Sequence, residues 1–195
     1  YDRHPYKWLP IGKKTEHISE MTMDMIKKFF YTYYRPNNAV LVVAGNVHYE
    51  EVVSLAEKWF GDIPSCEMTV RTYPQELVQQ VPKFLEVERN VPSDLLLKAW
   101  KMCGRKNVDY YAFDLLSDMF GTGQSSYLYR KLVIEDAIFT DISASVMGTA
   151  DPGLFIIDGR PAENVSIEQA DAALCDVLYN FQYDNNLPHD LQKVK

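Results

Sequence analysis

The sequence lacks several features that define common protein classes. Its 195 residues contain no apolar run of the roughly 18 residues that a membrane-spanning helix needs. It does not open with the charged and then apolar pattern of a signal peptide. It has no basic excess, because the formal net charge is −7, which argues against nucleic acid or an anionic membrane as the main partner. A hydrophobic content of 47% with 24% charged residues is instead typical of a globular protein with its own core.

Motifs for metal binding and nucleophilic catalysis are missing as well. None of the four histidines belongs to an H-E-x-x-H or inverted H-x-x-E-H zinc motif, and we expect surface or capping roles for them: His4, His17, His48 and His189. The stretch GTGQSS (121–126) lacks the lysine of a phosphate-binding loop and follows a predicted helix, so it indicates a corner between two helices. The residues alone therefore predict no catalytic residue and no metal ligand, and they leave any substrate-binding residue unknown.

Cysteine is scarce. Cys66, Cys103 and Cys175 are odd in number, widely spaced and free of any C-x-x-C pattern. We expect ordinary thiols, at least two of them in apolar surroundings, rather than a disulfide framework.

The first third of the chain predicts a helix, a strand and a second helix. Thr22 is a candidate N-cap, apolar residues follow at helical spacing, and Pro36 ends this first helix. The run AVLVVA (39–44) is apolar at every position and predicts a strand covered on both faces. A second helix ends at Gly61. Residues 63–82 lose this periodicity, contain three prolines and are predicted to be a linker.

The rest of the chain predicts alternating strands and helices. The order indicates an α+β fold with helices packed on one face of a mainly antiparallel sheet. A capping-box pattern, Ser166 with Gln169, opens the longest helix, and Ser125 or Ser126 is expected to cap the helix after GTGQSS. The predicted strands are 83–89 paired with 95–102, and 139–146 paired with 154–160; the predicted helices are 109–120, one ending near 135, one from 166, and one with Pro188 in its first turn.

Two stretches resemble the pitrilysin and insulin-degrading-enzyme family of zinc metallopeptidases, which includes the mitochondrial processing peptidases. The first (4–64) has His-Pro-Tyr, Pro-x-x-Gly, Tyr-Tyr-x-Pro-Asn-Asn, an apolar run, and a helix ending near Phe-Gly-x-Ile-Pro. The second (121–155) is GTGQSSYLYRKLVIEDAIFTDISASVMGTADPGLF, which is similar to the family's Gly-rich corner, Ser-Ser-x-Leu and strand pair. The resemblance covers almost the whole chain and implies a processing-peptidase-like subdomain.

The resemblance also implies where the zinc chemistry lies. In this family the two histidines of H-x-x-E-H and a distant glutamate bind zinc, and the motif glutamate is the general base. All of these residues are expected upstream of Tyr1, since the chain opens with YDRHPYKWLPIGKKTE and no initiator Met, like an excised piece of a longer protein. We therefore expect zinc in a full-length parent, a zinc-dependent metalloendopeptidase. We expect no cofactor, and no catalysis, in this chain alone.

The implied domain organisation has three parts. Residues 1–62 correspond to the carboxy-terminal remnant of the zinc-bearing subdomain, 63–82 to a linker, and 83–195 to a second, non-catalytic subdomain truncated at its end. Family members clamp substrate with an Arg and a Tyr in the other half, and the alignment places Val133 and Thr140 at those positions. This implies the second domain of the zinc-bearing half, with a partner half that supplies the clamp.

The implied function is that of a non-catalytic portion of a peptidase that hydrolyses peptides or unfolded proteins inside a two-half chamber. Its partners would be those peptides and a second half or homologous subunit. The alternative is a non-catalytic scaffold or assembly subunit with the same fold, and a third reading is an unrelated α+β binding module. The sequence leaves the compartment unknown. The similarity of SSYLYRKLV and DPGLF to bacterial members favours the bacterial cell envelope, with the mitochondrial matrix as the alternative.

Overall fold

The computed structural model describes residues 1–8, 10–67, 72–184 and 191–192. The chain divides into two compact units, Tyr1–Leu85 (unit 1) and Glu86–Lys195 (unit 2). Among the described residues, no helix is both long enough and apolar enough to cross a membrane. The helix predicted at Pro188 lies outside the described residues. The assignment of the units to particular subdomains stays a prediction.

The described residues of unit 1 form three helices. They are α1 (Glu16–Ser19), α2 (Met23–Tyr33) and α3 (Tyr49–Phe60), accompanied by 3₁₀ turns at Pro5–Lys7 and Pro36–Asn38. The predicted start of α2 is confirmed, because the Thr22 hydroxyl accepts a hydrogen bond from the backbone N–H of Met25 at 3.3 Å. The predicted end of α3 is confirmed as well, with Gly61 at the C-cap.

The strand predicted at 39–44 is wrong. These residues form no strand, and the side chains of Val40 and Val42 are 90% and 80% exposed. A strand needs a neighbour to satisfy its backbone N–H and C=O groups, and the described residues of unit 1 contain no strand. The apolar face of α2 is also uncovered, because Phe29 and Phe30 are 57% and 50% exposed. Unit 1 therefore presents much of its apolar surface outward.

Polar contacts hold the later part of unit 1 to its beginning. The Glu76 carboxylate accepts hydrogen bonds from the three backbone N–H groups of residues 2–4, at 2.7 to 2.9 Å. The Lys83 ammonium lies 2.7 Å from the Asp2 carboxylate. The segment 72–85, most of which lies in the predicted linker, is thus attached to the start of the chain.

The described part of unit 2 is built on a three-stranded antiparallel sheet. Its strands are β1 (Leu96–Lys101), β2 (Phe139–Met147) and β3 (Leu154–Pro161), in the order β1-β3-β2. The predicted hairpin of β2 and β3 is confirmed. The predicted pairing of 83–89 with 95–102 is wrong, because 83–89 form no strand and β1 pairs with β3 instead. An extended segment becomes a strand only when its backbone groups are paired, and Phe84 remains 86% exposed.

Helices cover one face of this sheet, which confirms the predicted fold class. They are α4 (Tyr110–Gly121), a π-helix (Tyr129–Glu135) and α5 (Ile167–Phe181). Alternate residues of β3, such as Phe155 and Ile157, are buried against them, while their neighbours along the strand are less buried. Phe181 joins this core, with its ring centroid 4.7 Å from that of Phe120. The predicted capping box is also present, with Ser166 and Gln169 bonding each other's backbone N–H.

A β-bulge changes the predicted alternation at the start of β2. Phe139 pairs with Pro161 and Asp141 with Arg160, so Thr140 is an extra residue in the ladder. Because of this extra residue, Phe139 and Ile142 are both 2% exposed although they are three positions apart. A strict period of two would have placed them on opposite faces of the sheet.

Candidate functional site

The three histidines that the structure describes do not converge. His4 caps the first 3₁₀ turn, since its Nδ1 accepts a hydrogen bond from the Tyr6 backbone at 3.2 Å, but it is buried among the rings of Tyr1, Tyr6 and Tyr73. His17 lies inside α1 and His48 precedes α3, and both are exposed. His189 lies outside the described residues.

No described group of three or more His, Cys, Asp or Glu residues is arranged to hold a metal ion. Protein zinc sites take three or four such ligands around one point. The described part of this chain therefore does not fit the zinc ion that the family resemblance implies.

The three cysteines are free thiols, as predicted. Cys66 and Cys103 are partly buried, while Cys175 is exposed on α5 beside a lysine and a carboxylate. The Lys98 ammonium, reaching from β1, is in contact with Asp171 and lies 3.2 Å from the Cys175 sulfur. Burial disfavours the charged ammonium, but the hydrogen bonds to Asp171 and Cys175 outweigh it, so the pKa of Lys98 is raised. This cluster connects the free edge strand β1 to α5.

The GTGQSS corner joins α4 to the next helix, as predicted. Gly121 ends α4 against the backbone of Ala144 in β2, so closely that a Cβ would overlap it. Gly123 has a φ of +80°, a conformation that favours glycine. The backbone carbonyl of Ser126 accepts the Arg130 N–H at 3.0 Å, so the helix follows this residue, but its hydroxyl does not cap it. Ser126 Oγ is buried without a hydrogen-bond partner among the described residues.

Ser166 and Ser126 are expected to respond differently to substitution by alanine. Ser166→Ala removes the capping hydroxyl of α5 and is expected to lower the free energy of unfolding by about 1 kcal/mol. Ser126→Ala removes a buried hydroxyl that makes no bond, so it is expected to be neutral or stabilising. Urea unfolding followed by circular dichroism measures both. Equal losses for the two variants would show that Ser126 Oγ has a partner after all.

An open groove of about 750 Å³ lies between the π-helix and α5. Its apolar lining comes from Ile138, Ala173 and Val177. The other lining residues are polar or charged: Tyr127, Lys131, Glu135, Asp136, Asp176 and Asn180. The groove therefore combines an aliphatic surface with three carboxylates and one ammonium.

Only one of the three carboxylates is neutralised within the groove. The Lys131 ammonium lies 2.8 Å from Glu135, and this hydrogen bond, with the nearby charge of Asp184, raises the pKa of Lys131. The side chains of Asp136 and Asp176 make no ion pair or hydrogen bond with any residue that the structure describes. The groove thus has an excess of negative charge.

Val133 and Thr140, the two positions aligned with the family's substrate clamp, have different environments in this structure. Val133 is half-buried and packs against the core of unit 2. Thr140 is the exposed bulge residue of β2, and its hydroxyl donates to the backbone carbonyl of Arg160 at 3.2 Å. Neither offers the guanidinium or phenol of the clamp.

Comparison with known proteins places the chain in a family. The family model described as Peptidase M16 inactive domain matches residues 20–195, and the chain belongs to this family. The resemblance to zinc peptidases is thereby confirmed.

Individual relatives match over the full length of this chain. The zinc protease PqqE of Helicobacter pylori is 30% identical over 200 residues, which cover 100% of this chain and 44% of the relative. The crystal structure of a protease from Helicobacter pylori has a TM-score of 0.78 at 25% identity, covering 100% of this chain and 48% of that one. The peptidase M16 inactive domain from Pseudomonas fluorescens shares the fold, with a TM-score of 0.76, 18% identity, and coverages of 100% and 46%. The chain thus spans slightly less than half the length of these proteins.

Proposed function

We propose that the chain is a non-catalytic portion of a zinc metallopeptidase that hydrolyses peptides or unfolded proteins inside a chamber between two halves. The observation that carries this proposal is the match of residues 20–195 to a domain described as the inactive domain of peptidase M16. A relative matched over this whole chain is named a zinc protease and is more than twice as long. The chain would then contribute wall and contact surface rather than chemistry.

In this proposal, residues 1–62 belong to the zinc-bearing subdomain, 63–82 connect the subdomains, and 83–195 form most of the next one. The uncovered apolar side chains of unit 1, such as Val40, Val42 and Phe29, support this arrangement. Each such side chain gains roughly 1.5–3 kcal/mol on full burial. A preceding part of the same subdomain would cover them and give 39–44 the strand neighbours that the described residues of unit 1 do not provide.

The metal and the clamp would come from elsewhere in the parent. The described residues contain no group of three or more His, Cys, Asp or Glu arranged to hold a metal ion. In this proposal the zinc ligands lie in the part of the zinc-bearing subdomain outside this chain. Val133 and Thr140 have neither a guanidinium nor a phenol, so in this proposal a second half or homologous subunit would supply the Arg and Tyr. The proposal therefore needs two halves for peptide hydrolysis.

Hydrolysis of a quenched library of unstructured peptides tests the proposal. The full-length parent is expected to cleave it with its partner half present, to lose activity with a zinc chelator, and to regain it when zinc is restored. This 195-residue chain, run beside it, is expected to be silent. Silence of the parent with the partner half added would favour the alternative, a non-catalytic scaffold or assembly subunit. Chelator-sensitive cleavage by this chain alone would contradict its non-catalytic role.

A further inference from the structure

The negative charge of this protein is concentrated in unit 2. Residues 1–85 contain equal numbers of acidic and basic residues, so the formal charge of −7 belongs entirely to residues 86–195. At long range, the net charge of unit 2 therefore attracts cations and repels anions. The groove between the π-helix and α5 is where part of this charge meets an apolar surface.

Two separate elements bring the unpaired carboxylates to this groove. Asp136 follows the π-helix, and Asp176 lies on α5, next to the lining residue Val177. Ala137, between the lining residues Asp136 and Ile138, has a φ of +53°, which is uncommon for a residue with a side chain. Asp136 and Ile138, on either side of this turn, thus contribute a carboxylate and an aliphatic side chain to the same groove. π-Helices are rare overall, and those that occur are often found at functional sites.

We infer that this groove binds an arginine or lysine side chain of a positively charged peptide segment. The aliphatic stem of such a side chain would cover Ile138, Ala173 and Val177, while its charged head would reach Asp136 and Asp176. The Lys131–Glu135 pair would remain intact at the side of the groove. Arg130 and Asp184, which also act on Lys131, carry opposite charges and leave the excess unchanged.

Other ligands fit the same lining less well. An acidic peptide would face like charges, and a purely apolar segment would take the two carboxylates out of water without a partner. A metal ion would require three or more converging ligands, and the described residues offer no such group. The inference goes beyond the proposed function, because binding here requires neither zinc nor hydrolysis, so either can fail without the other.

Fluorescence anisotropy on the 195-residue chain tests the inference directly. The probe is a short fluorescein-labelled peptide with a central arginine flanked by leucines. Its matched control carries citrulline, which has nearly the same shape but no charge. The arginine peptide is expected to bind at least about fivefold more tightly at low salt, and this difference is expected to shrink as salt screens the exposed charges. Equal affinity of both peptides, or no binding of either, would overturn the inference.

Variants that remove negative or positive charge from the groove test whether the peptide binds there. The double variant Asp136→Asn/Asp176→Asn is expected to remove the preference for arginine over citrulline, whereas Lys131→Met is expected to strengthen it, because Glu135 is then unpaired. Glu163→Gln removes one negative charge, half of what the double variant removes, at an exposed residue that does not line the groove, and should change nothing. Circular dichroism verifies that each variant is folded. If Glu163→Gln weakens binding by about half as much as the double variant does, or by more, the effect is the charge of the whole unit and the groove is not the site.

Discussion

Gly121→Ala is expected to lower the free energy of unfolding of unit 2 by at least about 2 kcal/mol, although alanine is normally the better helix residue. In a helix interior, alanine is favoured over glycine by about 1 kcal/mol. At Gly121, however, the added Cβ would overlap the backbone nitrogen of Ala144 and lie 2.7 Å from its Cα. Backbone cannot rotate away as a flexible side chain can, so the end of α4 and strand β2 must separate. Overpacking usually costs about 1–3 kcal/mol, and an overlap with rigid backbone belongs at or above the upper end of that range, so about 2 kcal/mol or more remains after the gain in helix propensity is subtracted.

Gly123→Ala, in the same corner, is the matched control. Nothing lies within 4 Å of a Cβ at Gly123, and only its φ of +80° opposes a side chain. We expect a loss of about 1 kcal/mol for this strain. Urea unfolding followed by circular dichroism compares the two variants with the unaltered chain. If Gly121→Ala proves no more destabilising than Gly123→Ala, α4 does not approach β2 as closely as the structure indicates.

The elements that could be predicted from the sequence are those specified by local chemistry. The N-cap at Thr22, the end of α3 at Gly61 and the capping box at Ser166 depend on residues only a few positions apart, and all three are confirmed. The hairpin of β2 and β3 is also local, because a short turn containing Pro152 and Gly153 connects its strands.

The predictions that failed depended on partners distant in the chain. The segments 39–44 and 83–89 have strand composition, but composition does not specify which neighbour will pair with their backbone groups. Strand β1 shows the same limit, since it pairs with β3, more than fifty residues later, rather than with the preceding segment. The bulge at Thr140 escaped prediction for another reason, since one extra residue alters the ladder without any composition signal.

The candidate groove could not be predicted either, although part of its pattern is visible. Lys131 and Glu135 have the i, i+4 spacing of an ion pair on a helix, and in the structure they form one. The sequence does not show that Asp136 and Asp176 line the same groove. Forty residues separate them, and only the packing of α5 beside the π-helix brings them together. The same is true of Lys98 and Cys175, whose contact depends on how α5 crosses β1.

Leu132→Ala is expected to be among the most damaging single truncations in unit 2, with a loss of about 3 kcal/mol in the free energy of unfolding. Leu132 lies in the π-helix, is 0% exposed and belongs to the hydrophobic core. Truncation loses the transfer free energy of its buried methyl groups and leaves a cavity beneath the helix that carries Lys131 and Glu135. The groove should therefore loosen as well, so that the arginine peptide binds more weakly even where the variant is still folded.

Ile134→Ala separates this core effect from the general effect of shortening an aliphatic side chain in the same helix. Ile134 is 62% exposed, so its truncation is expected to change the free energy of unfolding by less than about 0.5 kcal/mol. Thermal and urea unfolding measure stability, and peptide anisotropy measures the groove. If Leu132→Ala causes a large loss of stability and Ile134→Ala a small one, the burial of Leu132 holds the π-helix against the core. Similar small losses would show that the π-helix does not pack on the core, and the groove wall that it forms would then have no rigid support.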